Sequence, residues 1–297
     1  DILFWTKRVS VKRIVIFLMA VTVSTELVYN AKLIMTLDGG VEHFTQYAED
    51  EMKLIGQLQQ QDGGFYRINQ TSTRDVDGNK LTANYNEGIA YNYKSISGYT
   101  SDPDRNQLLF MKQMGYAICG DVMNVVNTSV LGADSILGVK YVLSSYDIPR
   151  LKKLENIEPG NGKSVYYNPY ALPVAFTYES SNMLPDSEEK DEFLYQNQLF
   201  SYLSGQNVQV NKRIEAEPKA DSNTVGYDVK HMDDPVYGYF NMKDKDGGKV
   251  YVDDQYVTLY NTWLCPRVVY IPQQPDAPST HVHIDGDNME NRVESAC

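Results

Sequence analysis

Apolar residues run unbroken from Ile14 to Val23, ten positions without a charge, and a second apolar patch follows at Leu33–Leu37. Taken as one helix, Ile14–Leu37 is roughly 36 Å long at 1.5 Å per residue, enough for a hydrocarbon core of about 30 Å. Lys7, Arg8, Lys12 and Arg13 precede it and Asp38-Gly39-Gly40 follows. This places the N-terminus in the cytoplasm and residues from about 38 onward outside the membrane. Three other readings compete. A signal-peptide apolar region would need a small-x-small cleavage site, and none follows cleanly. A buried helix of a soluble protein would explain Glu26, Asn30 and Lys32, which are costly in lipid. An interfacial helix would need a clear polar face, which is lacking. On the spanning reading, Glu26 and Asn30 lie one turn apart and are expected to pack against other membrane helices.

Beyond residue 40 the spacing changes. Val41, Phe44, Ala48, Met52 and Ile55 recur every three to four positions, predicting a helix over 41–60 that Asp62-Gly63-Gly64 stops. A strand is expected at Phe65–Ile68 and a polar loop over 69–88. Helices follow at 105–117 and 133–137, a buried strand at Gly138–Ser144, and a strand-like stretch over Ser164–Tyr178. Pro185 is expected to open a helix over 186–204, closed by Gly205. From residue 206 the segments Val208–Ile214, Val236–Met242, Lys249–Leu259 and Arg267–Ile271 alternate between turn signals and predict short strands in a sandwich. The expected fold is therefore α+β. It comprises a cytoplasmic flank (1–13), a transmembrane helix (14–37), a mixed α/β extracytoplasmic domain (38–205) and a β-rich, sandwich-like domain (206–297).

Charge divides along the same line. The chain of 297 residues carries a net charge of −12. Residues 1–37 hold five basic and two acidic residues, leaving 22 basic and 37 acidic residues in the rest, a net of −15. An acidic body excludes the basic footprint that nucleic-acid binding needs. At 42% hydrophobic residues the chain is far from a disordered composition, and three cysteines cannot make a disulfide scaffold.

Candidate chemistry is sparse. Cys119, Cys265 and Cys297 form no CxxC motif; a Cys119–Cys265 bridge is conceivable outside the cell, and Cys119 reads most simply as core. His281-x-His283, with Asp285 two further on, would put both imidazoles on one strand face, a zinc-like pattern without a fourth ligand. Its place in a turn-rich region favours solvated polar residues instead. Asp75-x-Asp77-x-Asn79 starts like a calcium loop, but Lys80 stands where the glycine is needed and Asn86 where the bidentate Glu belongs. The same letters make an ordinary turn on Asp77-Gly78. No metal, cofactor or catalytic residue is assigned. The 23 tyrosines are more suggestive. Asn84-Tyr85-Asn86, Tyr91-Asn92-Tyr93, Tyr166–Tyr170 and Tyr237-Gly238-Tyr239 set rings beside amides, a combination suited to sugars. For any single tyrosine, a half-buried strand residue is the simpler reading.

Several segments, in order, resemble the YfhO family of bacterial membrane proteins, multi-span proteins placed with the GT-C glycosyltransferases. They are Thr25–Asn30, Gly64–Ile68, Asn84–Gly88, Ser95–Ser101, Leu137–Ser144, Tyr167–Pro173, and the helix with Glu192-Phe193 and Gln196-Asn197. The fit runs from about 14 to 205, and the β-rich remainder agrees only in texture. The resemblance implies a transferase that moves a sugar from a polyprenyl-phosphate donor to a cell-surface polymer such as a teichoic acid. In that family the acidic catalytic loop follows the first membrane helix, and this sequence contains no match to it. The chain also starts with Asp rather than Met, so a piece of a larger protein is expected, inactive by itself. Within it, Arg67 is a candidate to meet a phosphate through its planar fork, or else to pair with a local Asp. Asn84, Asn86, Tyr99 and Ser101 are candidates to bond sugar hydroxyls. The rival expectation is a non-enzymatic membrane-anchored carbohydrate-binding or sensor ectodomain.

Overall fold

The computed structural model describes residues 2–37, 41–72, 86–116, 118–119, 122–125, 128–179, 185, 191–214, 216–242, 248–260, 268–274 and 276–296. Contacts between residues divide the chain into two units, 1–49 with 76–82, and 50–75 with 83–297.

The first unit is dominated by α1 (Ile2–Leu37). Its Val11–Ile34 stretch is long and apolar enough to cross a membrane, and none of it is buried within the chain. The Thr22 and Thr25 hydroxyls donate to the carbonyls of Leu18 and Val21 at 2.9 and 2.8 Å, so neither needs water in an apolar medium. Glu26 and Asn30 are exposed on this helix, four residues apart.

Helix α2 (Val41–Gln61) leads into the second unit, where Leu54, Ile55 and Leu58 are buried. Strand β1 (Arg67–Gln70) follows, then the single turn α3 (Glu87–Ala90), β2 (Gly98–Thr100) and α4 (Arg105–Gln113). The Asp104 carboxylate caps α4 by accepting from the Asn106 and Gln107 N–H groups at 2.9 and 3.1 Å. Next come β3 (Ile118–Cys119), β4 (Val122–Val125), α5 (Leu131–Ile136), β5 (Val139–Ser144), β6 (Lys152–Lys153), β7 (Ser164–Tyr167) and α6 (Glu192–Ser204). Four of these strands form a mixed sheet in the order β1-β5-β7-β6, with β1 parallel to β5, and β2-β4-β3 form a small antiparallel sheet.

The rest is almost all strand: β8 (Glu217–Ala220), β9 (Thr224–Lys230), β10 (Val236–Gly238), β11 (Phe240–Met242), β12 (Gly248–Val252), β13 (Gln255–Tyr260), β14 (Val269–Ile271), β15 (Ser279–Asp285), the turn α7 (Met289–Arg292) and β16 (Val293–Ala296). An antiparallel five-stranded sheet, β13-β12-β15-β9-β8, is faced by the ribbons β10-β14 and β11-β16. Val225, Val250, Val252, Val282 and Ile284 of the sheet pack with Val236, Phe240, Val269 and Ile271 of the ribbons, a sandwich-like core. The fold is thus mixed α and β, with one candidate membrane helix at the N-terminus and a strand-rich C-terminal region. Val268, from this region, also packs among Met114, Tyr116 and Ala133.

Several expected elements differ. The strand expected at Phe65–Ile68 lies two residues later. The stretch Ser164–Tyr178 stops being a strand at Tyr167. There the Asn168 amide donates to Val139 O and accepts from Tyr170 N, each at 3.0 Å, a turn that outcompetes the ladder. Pro169 and Pro173 supply no ladder donor. Val208–Ile214 is not a strand either. Its backbone is taken by side chains of α6: Asn197 exchanges bonds with Asn211 at 2.7 and 2.8 Å, and Ser201 with Val208 at 2.9 and 3.0 Å. Lys249–Leu259 is a hairpin rather than one strand, turning at Asp253 and Asp254, both with positive φ. Helix α6 starts at Glu192 on an Asp191 cap, and residues 186–190 lie outside the described set. Cys119 stands in β3.

Candidate functional site

Arg67 opens β1 half-buried, and its guanidinium donates to the Leu137 carbonyl at 2.5 Å. No carboxylate pairs with it among the described residues, so the local Asp expected as one alternative is replaced by a backbone carbonyl. The neighbouring acid, Asp62, is engaged elsewhere. It accepts from Lys140 at 2.5 Å and from the Tyr141 hydroxyl at 2.8 Å. The Lys140 bond is the main reason its carboxyl titrates below the usual range, with Gly64 N–H and Tyr141 assisting.

Asn86 sits in the left-handed region (φ 61°), which asparagine tolerates better than most residues. Its amide acts as a substitute strand edge, accepting from Tyr99 N at 2.9 Å and donating to Tyr99 O at 3.3 Å. A Cβ at Gly98 would come within 2.7 Å of the Asn86 Oδ1, so this clamp requires glycine there. Asn86 thus holds β2 in place while Tyr99 and Ser101 stay exposed. Asn84, Asp75, Asp77 and Cys265 lie outside the described residues.

Beneath this surface lies a polar chain that the hydrophobic pattern gave no sign of. Lys163 is 1% exposed, and its ammonium lies 2.8–2.9 Å from both oxygens of Glu51, itself fully buried, and 2.8 Å from Gln70 Oε1. Asn161 donates to Glu51 at 2.9 Å, and Gln70 donates to Glu87 at 2.6 Å and to the Tyr93 hydroxyl at 3.0 Å. One residue earlier on β1, Asn69 belongs to a second group. Its amide donates to Thr128 O at 2.7 Å and to Asp134 at 2.9 Å, and accepts from the Ser97 hydroxyl at 2.7 Å. Asp134 also accepts from Ser129 at 2.5 Å and from Tyr116. Burial raises the Asp134 carboxyl to about 6, against the pull of these three donors. Paired β-strand residues facing opposite sides (69 and 70) therefore feed two buried clusters. Each member is bonded, which suits a structural role better than a ligand site.

Three of the tyrosines singled out for sugar stacking are core residues: Tyr91, Tyr93 and Tyr166 are under 10% exposed, whereas Tyr170 is 52% exposed. The Tyr166 hydroxyl donates to Asp147, and the Tyr237 hydroxyl accepts from Leu131 N at 3.0 Å.

The histidine pair departs furthest from expectation. His281 and His283 stand in the seven-residue β15, the middle strand of the five-stranded sheet, and not in a solvated turn. Both project from the face opposite the sandwich core. His283 is 8% exposed, stacked on Tyr251 at 5.1 Å between centroids, while His281 bonds Asp228 at 2.7 Å. The two imidazoles are 5.2 Å apart and tilted by only 33°, overlapping rather than converging on a point. Among the described residues no three His, Cys, Asp or Glu side chains are grouped to hold a metal. Gly226 makes room for the pair: a Cβ there would meet His283 Cβ at 2.9 Å and His281 Cε1 at 3.0 Å. Asp228, shared by Lys219 and His281, is held below the usual carboxylate range, chiefly by Lys219.

No curated protein and no solved structure matches the chain. A family model does, that of the bacterial membrane protein YfhO, over residues 2–284. That match takes in the apolar N-terminal helix, the mixed sheet and nearly all of the strand-rich region. It extends well past residue 205, where the sequence resemblance had faded to texture. The chain therefore belongs to the YfhO family of bacterial membrane proteins.

Proposed function

We propose that the chain is the extracytoplasmic part of a membrane glycosyltransferase, anchored by α1, with its folded body outside the membrane. The sugar comes from a polyprenyl-phosphate donor, and the acceptor is a cell-surface polymer of the teichoic-acid kind. The part played by this chain is to bind and position the acceptor. The observation that carries the reading is the Asn86 clamp: it fixes β2 so that Tyr99 and Ser101 face solvent in a set frame. An exposed ring on a held strand, with a hydroxyl just past its end, is suited to an apolar sugar face and its hydroxyls. Family membership and the basic flank of α1 support the placement. Arg67 contributes through the donors that Leu137 leaves over, toward a phosphate of donor or acceptor.

The test is glycosylation of the surface polymer in cells carrying Tyr99→Ala with Ser101→Ala. Both positions are exposed, so protein level and melting temperature should hold while glycosylation falls at least about fivefold. Unchanged glycosylation at wild-type protein level would remove β2 from the acceptor site. Arg67→Ala is the poorer probe, because it also strips a bond from the turn before β5.

A further inference from the structure

The outer face of the five-stranded sheet carries an aligned row of side chains that the core does not use. Register places Tyr256, Tyr251, His283, Gly226 and Lys219 side by side across β13, β12, β15, β9 and β8. Tyr256 is 58% exposed and meets Tyr251 edge-on at 5.9 Å; Tyr251 in turn covers His283. A shallow depression lined by Gly248, Lys249, Tyr251, Asp285 and Gly286 adjoins this row.

The polar groups around it are incompletely used. The His283 Nδ1 is buried with no hydrogen-bond partner among the described residues, and the residue as a whole is 8% exposed. Its Nε2 is 3.7 Å from Asp285 Oδ2, too far for a hydrogen bond, yet a hydroxyl about 2.8 Å from each would bridge them. Asp285 Oδ1 is satisfied by Thr224 at 2.7 Å, leaving Oδ2 toward the depression. Lys249 is exposed and has no ion pair among the described residues.

An occupant must lay a flat apolar face on phenol rings and give hydroxyls to a carboxylate, an imidazole and an ammonium. Phosphate alone has no use for the rings. Nucleic acid would meet Asp228, Asp253, Asp254 and Asp285 on a body of net negative charge. A metal would need converging ligands, which the overlapping imidazoles do not offer.

We propose that this face is a saccharide-binding site, with Tyr256 and Tyr251 stacking on the sugar ring and Asp285, His283 and Lys249 bonding its hydroxyls. It goes beyond the acceptor contacts placed on β2. Binding is read without a transfer step, so it stands or falls separately from the transferase reading.

The experiment uses the full chain in a detergent without a sugar headgroup, titrated with cellotriose and with N,N′-diacetylchitobiose by calorimetry and saturation-transfer NMR. Saturable binding of at least one is expected. Tyr251→Ala should weaken it about tenfold and Asp285→Asn comparably, about 1.4 kcal/mol each. Tyr256→Ala, at an exposed position, should weaken it about threefold with an unchanged melting temperature. Tyr251→Phe should bind like wild type. Should Tyr251→Ala unfold, Tyr256→Ala decides. Lack of saturable binding to both sugars overturns the proposal. So does unaltered affinity in folded Tyr256→Ala and Asp285→Asn. So does binding of glycerol phosphate alone, lost in salt or in Lys249→Ala.

Discussion

The α/β region from 50 to 204 keeps charge inside, whereas the strand-rich region after it keeps charge on one open face. In the first, Glu51, Lys163, Glu87, Asp134 and Glu192 are all at most 3% exposed. In the second, the core consists of Val, Ile, Phe and Met, and Lys219, Asp228, His281, His283 and Asp285 stand on the opposite side of the sheet. The difference follows from the sheets. In the mixed sheet Ile68, Asn69 and Gln70 of β1 are all buried, so a polar residue there must find a partner within the fold. The five-stranded sheet is covered on one face by two ribbons, and strict alternation along β15 sends Thr280, Val282 and Ile284 inward and His281, His283 and Asp285 outward. A closed polar chain ties elements together; an open polar row is available to a ligand.

The comparison can be broken most severely at Lys163. Lys163→Met leaves the buried Glu51 carboxylate without its cation, and should lower unfolding free energy by about 3–5 kcal/mol in urea titrations. The double variant Glu51→Gln, Lys163→Met should regain more than half of that. A single-variant loss below about 1 kcal/mol would mean that the buried pair does not hold the region together.

Asp134 gives the next effect, with a sign opposite to that of an ordinary carboxylate. Its folded-state value of about 6 lies above the reference 3.8, so the folded protein takes up the proton first as pH falls. This group therefore adds stability as pH drops through about 6, by about 3 kcal/mol in all, and the gain levels off below about 4. Asp134→Asn should remove that slope, as seen by comparing urea midpoints at pH 4.5 and 7.

In the strand-rich region the effects are smaller. Gly226→Ala pushes a methyl against the imidazole pair and should cost about 1–3 kcal/mol, while also changing the chemical shifts of both histidine rings. Unchanged histidine signals would show that the pair tolerates displacement. Thr280→Val should be the mildest change and in the other direction. The Thr280 hydroxyl is buried without a hydrogen-bond partner among the described residues, so its removal should leave stability equal or raise it by about 1 kcal/mol. A loss would point to a bonded hydroxyl and an inner face less apolar than its neighbours.

Residue patterns alone were enough for the membrane-length helix, the run of α2, the closing glycine of α6, and the strand texture after 206. Each depends on neighbours within a few positions: unbroken apolarity, a 3.6-residue period, a glycine after a helix, or alternation. Strand limits at Tyr167 and at Val208–Ile214 were not legible, because side chains of Asn168, Asn197 and Ser201 compete for the backbone there. Nor was Arg67 legible, since a carbonyl seventy positions away takes its guanidinium.

The sequence by itself determined what is apolar and where it repeats, and with that the anchor, the fold class and the family resemblance. Only the tertiary structure decided which polar residues are spent and which are offered. Gln70 and Lys163 look as solvated as Asp285 and Lys249 when read along the chain. Burial and pairing are long-range properties, set by which strands become neighbours. They turned the first two into internal ties and left the second two on an open, ring-lined face.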